Sequence, residues 1–150
     1  MKSLSVKTKL GWITAFEENG NIIRVIFGKN KKNSTSRNLI KFKKSLNNFF
    51  KKKSYLIKFN YVVKGNNIQK KVWKEMKKIK FGKTKSYGSI AKKLKISPRH
   101  VGKICGQNKI PLAIPCHRVI RSDGTLGGFS ARGGIKLKKR LLNFENQSAT

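Results

Sequence analysis

The hydrophobic pattern of this chain changes its period at Lys64-Gly65-Asn66-Asn67, and that change limits what the chain can fold into. Before it, apolar residues come in short runs rich in β-branched and aromatic side chains. Residues 11–28, GWITAFEENGNIIRVIFG, hold two such runs around Glu18-Asn19-Gly20-Asn21. Asn-Gly between strand-like runs is a strong hairpin signal. Leu39, Ile40, Phe42, Leu46, Phe49 and Phe50 follow at helix-like spacing, with lysines on the wet face, and Tyr55 to Val63 alternates as a strand does. After the change the period is helical throughout. The expected architecture is α/β in two domains, a small β-rich one over residues 1–65 and a mainly helical one over residues 66–150. Met1 to Leu10 carries lysines but no apolar core segment, unlike a signal peptide. No apolar run reaches the ~20 residues of a membrane span, so no membrane association is expected.

In the second half, Ile68, Val72, Met76 and Ile79 recur at steps of four, four and three, with Trp73 beside them. Asn67 is the expected N-cap and Phe81-Gly82 the stop, with Glu75 on the exposed side. Ile90, Ala91 and Leu94 form a short apolar face. Ser97-Pro98 then provides an N-cap and an N1 proline for a helix carrying Val101, Ile104 and Cys105. Two short helices joined by a tight turn make a helix-turn-helix candidate, the second helix being the one to enter a DNA groove. Charge points the same way. The chain has 37 Lys+Arg against 5 Asp+Glu, a formal charge of +32. Such a field favours a polyanion whatever wrote the lysines into the sequence, so nucleic acid is the leading partner class.

Residues 114–119, Ile-Pro-Cys-His-Arg-Val, place one of two cysteines directly beside one of two histidines. A thiol reacts as its thiolate, a minority form near a free pKa of ~8.5 unless a base or a positive charge favours it. His117 and Arg118 offer both. Cys105 has an ordinary reading as a small buried residue of its helix, and His100 as an exposed helix residue. Cysteines at 105 and 116 match neither a zinc spacing nor a disulfide framework, so no metal and a reducing, cytoplasmic compartment are expected. Among the five acids, Glu17 and Glu18 flank the hairpin turn, Asp123 sits in the turn Ser122-Asp123-Gly124, and Glu75 lies on its helix. Glu145, beside the last apolar stripe of Leu137, Leu141 and Phe144, is left as the orienter of His117. Cys–His–Glu is an activated-nucleophile arrangement in outline. Glycines 127, 128, 133 and 134 mark a loop able to approach a ligand closely.

These pieces resemble the O6-alkylguanine-DNA alkyltransferases, also called methylated-DNA–protein-cysteine methyltransferases. The segments that carry the likeness are IQKKVWKEMKKIKFGKTKSYGSIAKKL, RHVGKICGQN, IPCHRV, GTLGGFSARGG and KRLLNFE, in that order over roughly half the chain. The hairpin LGWITAFEENGNIIRVIFG is similar, more weakly, to the small ribonuclease-H-like domain of that family.

The resemblance implies a winged helix-turn-helix in the second domain and an irreversible, single-turnover transfer of a methyl group from O6-methylguanine in duplex DNA. O4-methylthymine is a further substrate it suggests. Cys116 would be the acceptor, His117 would deprotonate it through a bridging water, and Glu145 would hold the imidazole. Asn108 would brace the turn before the active-site segment. Arg99 would fill the gap left by the extruded nucleotide, and Tyr87 would press on the neighbouring phosphate. Gly102 would let backbone lie close to DNA, and Ser130 would sit beside the flipped guanine. The resemblance further implies a monomer that needs no cofactor and works on double-stranded DNA carrying O6-alkylguanine, nucleoid-associated if bacterial. Three departures stand out: Phe129 where many members have Tyr, Lys109 where proline commonly follows the asparagine, and no trace of an N-terminal zinc site. Two rival readings are a lesion-binding protein without transfer, whose relatives replace the acceptor cysteine, and a helix-turn-helix regulator, which has no use for the Cys-His-Glu set.

Overall fold

The computed structural model describes residues 1–149, with side chains as far as Asn146. It divides between Val63 and Lys64 into two compact units. The expected boundary followed Gly65. Gly65 falls instead with the second unit because the Trp73 ring lies against it: a Cβ built there would be 2.6 Å from Trp73 Cζ3.

In the first unit, β1 (Lys2–Thr8), β2 (Gly11–Glu18) and β3 (Asn21–Phe27) form an antiparallel sheet in that order, followed by α1 (Arg37–Phe50). The β2–β3 turn has φ of 52° at Asn19 and 80° at Gly20. Two left-handed central residues make the type I′ turn that suits the strand twist. The hydropathy pattern does not reveal β1, and the reason is chemical. Its buried positions include Ser3 and Ser5, whose hydroxyls bond Lys32 O (2.7 Å) and Thr14 Oγ1 (2.8 Å). Ser36 caps α1, accepting from Leu39 N–H at 3.1 Å and donating to Glu17 at 2.8 Å. The helix buries Leu39, Phe42, Leu46, Phe49 and Phe50.

The strand expected over Tyr55–Val63 is not formed. Tyr61 makes a single parallel bridge to Ile22. Next to it, the Asn38 side chain donates to Asn60 O (2.8 Å) and accepts from Asn60 N–H (3.0 Å). A helix side chain thus takes the place of a strand partner.

The second unit runs α2 (Asn67–Lys77), β4 (Lys85–Ser86), α3 (Tyr87–Leu94), α4 (Pro98–Gly106), a 3₁₀ turn (Cys116–Arg118), β5 (Val119–Ile120) and α5 (Gly134–Ala149). The N-cap of α2 is Asn66 rather than Asn67. Gln69 decides between them, because its side chain accepts from Asn66 N–H while Asn66 Oδ1 accepts from Gln69 N–H, both at 2.9 Å.

Glu75 is buried, not exposed. It lies three residues after Val72 and four before Ile79, hence on their face, and Lys93 of α3 (2.6 Å) joins Lys78 (2.7 Å) in neutralising it. Helices α3 and α4 are joined through Lys95, left-handed at φ 59°, whose turn is closed by Ile96 N–H on Ala91 O at 3.0 Å. The two strands pair in parallel, and beyond β5 the chain reverses where Arg121 N–H meets Thr125 O at 2.9 Å. Among the described residues, no helix is long and apolar enough to cross a membrane.

Candidate active site at a buried thiol

Between α4 and β5 the chain has almost no regular structure, and one side chain organises it. Asn108 donates from Nδ2 to Ile114 O at 2.7 Å and accepts at Oδ1 from Ile110 N–H at 3.0 Å. This closes the loop onto the 3₁₀ turn that begins at Cys116. The thiol there is 8 % exposed. Burial pushes its pKa up, while the Asn108 amide, the Lys138 charge and nearby backbone N–H groups work against that push. The resting group is therefore a thiol. Arg118, which adjacency in sequence suggested as a source of positive charge for it, turns elsewhere.

Arg118 bonds Glu145 instead, from Nε to Oε1 at 2.8 Å and from Nη2 to Oε2 at 3.0 Å, and also donates to Ile79 O at 2.7 Å. His117 Nε2 meets the same carboxylate at 2.6 Å. All three side chains are buried, and α5 delivers Glu145 to this point from the face bearing Leu141 and Phe144. Burial alone would raise the Glu145 pKa, but its bonds to His117 and Arg118 overturn that effect and bring it to about 2. Burial lowers the His117 pKa more than the carboxylate raises it, so the imidazole is neutral. A neutral ring beside a carboxylate places its hydrogen on Nε2. Nδ1 is then a bare acceptor, and it is a buried atom without a partner within the protein.

A cavity of about 710 Å³ opens over the thiol. Of the residues expected at the site, Tyr87, Arg99, Gly102, Cys116 and Ser130 line it. His117, Glu145 and Asn108 stand outside the lining, behind or beside Cys116. Arg99 is exposed at the start of α4, where Ser97 caps the helix through His100 N–H at 3.1 Å. Ser130 Oγ donates to Gly106 O at 3.0 Å, tying the glycine-rich loop to the end of α4. Phe129 lines the wall, and so does Cys105, whose sulfur lies 3.7 Å from Met76 Sδ. Gly127 has φ 73°, and a Cβ there would come within 2.9 Å of the Tyr87 ring, so only glycine allows that close approach.

Lys138 escaped the sequence reading. It has no exposed surface, and its ammonium donates to Val119 O (2.7 Å), Leu126 O (2.6 Å), Gly128 O (3.1 Å) and Tyr87 Oη (3.2 Å). One buried cation therefore gathers β5, the glycine-rich loop and α3. Burial lowers its pKa, and it raises that of Tyr87 to about 12, with the two thiols adding to the latter. A signal was available: Lys138 sits beside Leu137 and three residues before Leu141, within the apolar stripe.

This arrangement has close relatives. The family model of the DNA-binding domain of 6-O-methylguanine DNA methyltransferase matches residues 67–147. The chain belongs to this methyltransferase family. A methylated-DNA–protein-cysteine methyltransferase of Sulfolobus acidocaldarius is 39 % identical over 142 residues, covering 91 % of this chain and 87 % of that one. Another, from Methanocaldococcus vulcanius, is 51 % identical over 86 residues, 57 % of this chain. That match spans about half of the relative, 52 % of its length. The crystal structure of Mycobacterium tuberculosis OGT in complex with DNA superposes with a TM-score of 0.86 at 26 % identity, covering 98 % of this chain and 94 % of that one. That likeness shows an α/β fold, which in this chain is a small sheet-bearing part and a mainly helical part.

Proposed function

We propose that this methyltransferase repairs duplex DNA by moving an alkyl group from O6 of guanine onto its own Cys116, once per molecule. The observation that carries the reading is the buried His117, bonded through Nε2 to Glu145 at 2.6 Å, next in sequence to a thiol on the cavity wall. The alkylated oxygen lies inside the base stack, so the nucleotide must first rotate out, and a poorly pairing lesion lowers that cost. Arg99 takes the vacated place in the stack. Tyr87 supports the displaced backbone, with Gly102 allowing close approach. The guanine enters between Ser130 and the acceptor.

The thiol proton passes to His117 Nδ1 through a bridging water, Glu145 stabilising the charge that develops on the ring while Arg118 holds the carboxylate in place. The sulfur attacks the alkyl carbon in line, the C–O bond breaks, and guanine leaves with its electron pair. The thioether formed is a poor leaving group, so the transfer is irreversible. Asn108 holds the loop that presents the thiol. One chain supplies every group named, so the transfer needs no second copy.

The test is intact mass after incubation with duplex DNA containing O6-methylguanine. Expected is one methyl adduct on Cys116, none in Cys116→Ala despite lesion binding within a few-fold, and a normal adduct in Cys105→Ala. An adduct on Cys105, or binding without any adduct, would overturn the assignment.

A further inference from the structure

The first unit holds 15 of the Lys and Arg residues against two acids, Glu17 and Glu18. Part of this charge is arranged. Along α1 and its C-cap, Arg37, Lys41, Lys44 and Lys51 follow at steps of four, three and seven, all exposed, with Asn48 completing the row. The helix contains no acid. Among the described residues, no carboxylate lies within ion-pair distance of the row. Glu17 is buried and engaged by Ser36, although it and Glu18 share with Arg37, Lys41 and Lys44 a groove of about 820 Å³.

Apart from Lys51 at the C-cap, the row does nothing for the helix that bears it. Like charges three and four residues apart repel. Arg37 sits in the first turn, at the positive end of the helix dipole. Burial of the opposite face, from Leu39 to Phe50, holds α1 in place regardless. That same burial rules out a lipid surface, because a basic amphipathic helix needs its apolar face free to insert. A partner that welcomes several cations in a line is a phosphate backbone. From Arg37 to Lys51 the row is about 21 Å long at 1.5 Å per residue, the axial rise of about six base pairs.

We propose that the exposed row Arg37–Lys41–Lys44–Lys51 is a second surface for the phosphate backbone of duplex DNA, indifferent to sequence and to lesion. It goes beyond the transfer reaction: it lets the first unit hold undamaged duplex, which the proposed chemistry does not require.

The experiment uses the full chain on undamaged duplex across a salt series. One variant carries Arg37→Gln, Lys41→Gln and Lys44→Gln. A control of equal charge carries Lys7→Gln, Lys9→Gln and Arg24→Gln, exposed residues of the sheet and its first turn. A third exchanges the row's cations, Arg37→Lys, Lys41→Arg and Lys44→Arg. Three lost phosphate contacts should reduce the slope of log affinity against log salt by about 2.7 and weaken binding tenfold or more at 0.1 M salt. The exchanged row should bind like the parent, and the control should keep the parent slope. An unchanged slope in the first variant would overturn the proposal, as would equal losses in both neutralised variants, which would reveal a diffuse field. Reaction of each variant with free O6-benzylguanine base is the separate check on the transfer reading. Loss of that reaction in the parent would strike the chemistry and leave the binding result intact.

Discussion

Lys138 and His117 show how single side chains set the behaviour of the site. A lysine with no exposed surface survives only because four oxygens surround its ammonium. In Lys138→Met those oxygens lose their donor inside the protein, at about 1–3 kcal/mol for each group left unsatisfied, partly recovered by rearrangement. Chemical denaturation should show a net loss of about 2–4 kcal/mol, and proteolysis should begin in the glycine-rich loop. Stability within 0.5 kcal/mol of the parent, the range of an ordinary surface change, would mean that the ammonium is not the tie between loop and helix. His117 makes a kinetic prediction. Its pKa lies below the ordinary 6.5 while that of Cys116 lies above 9.0. If the imidazole takes the proton during attack, the transfer rate stays level between pH 6.5 and 8. A preformed thiolate would instead give a rate climbing tenfold per pH unit there. A titration of single-turnover rates separates the two.

At the scale of elements, the α3–α4 turn offers a simple measurement. Lys95 is exposed and left-handed, a conformation that costs a residue with a Cβ about 1 kcal/mol relative to glycine. Lys95→Gly should therefore raise the unfolding free energy by up to about 1 kcal/mol. Destabilisation would place an unseen role on the lysine side chain. This turn was legible in the sequence, as were the Asn-Gly hairpin and the Ser97-Pro98 start of α4, because turn and cap chemistry is local. The pairing of His117 with Glu145 was legible too, through a short motif and the scarcity of acids. What stayed hidden was non-local. The hidden strand β1 buries hydroxyls, Asn38 replaces a strand partner across the fold, and Glu75 meets its lysine on another helix. Arg118 was paired with its sequence neighbour, when its partner lies 27 residues away. Each is a polar contact over long sequence separation, and hydrophobic period is blind to those.

For the molecule as a whole, buried charge makes acid the sensitive direction. Glu75 and Glu145 have folded pKa values of about 2 against an ordinary 4.5, so each contributes stability above 4.5 that disappears as pH falls toward 2. His117, lowered from 6.5 by burial, acts in the same sense: below 6.5 the unfolded chain takes a proton that the folded one refuses. The denaturation midpoint should be level between pH 6.5 and about 8, decline gently below that range, and fall steeply beneath 4.5. Glu75→Gln should be less stable at neutral pH and show a shallower acid decline. An unchanged acid limb would remove Glu75 from this account. Glu145 also has a consequence in time. It arrives from α5, 28 residues after His117. A ribosome therefore completes α4, the thiol and the residues that line the cavity before it makes the carboxylate that orients the imidazole. The site stays unfinished until the last helix docks, and a chain cut short before Glu145 would keep its thiol but lose the partner of its imidazole.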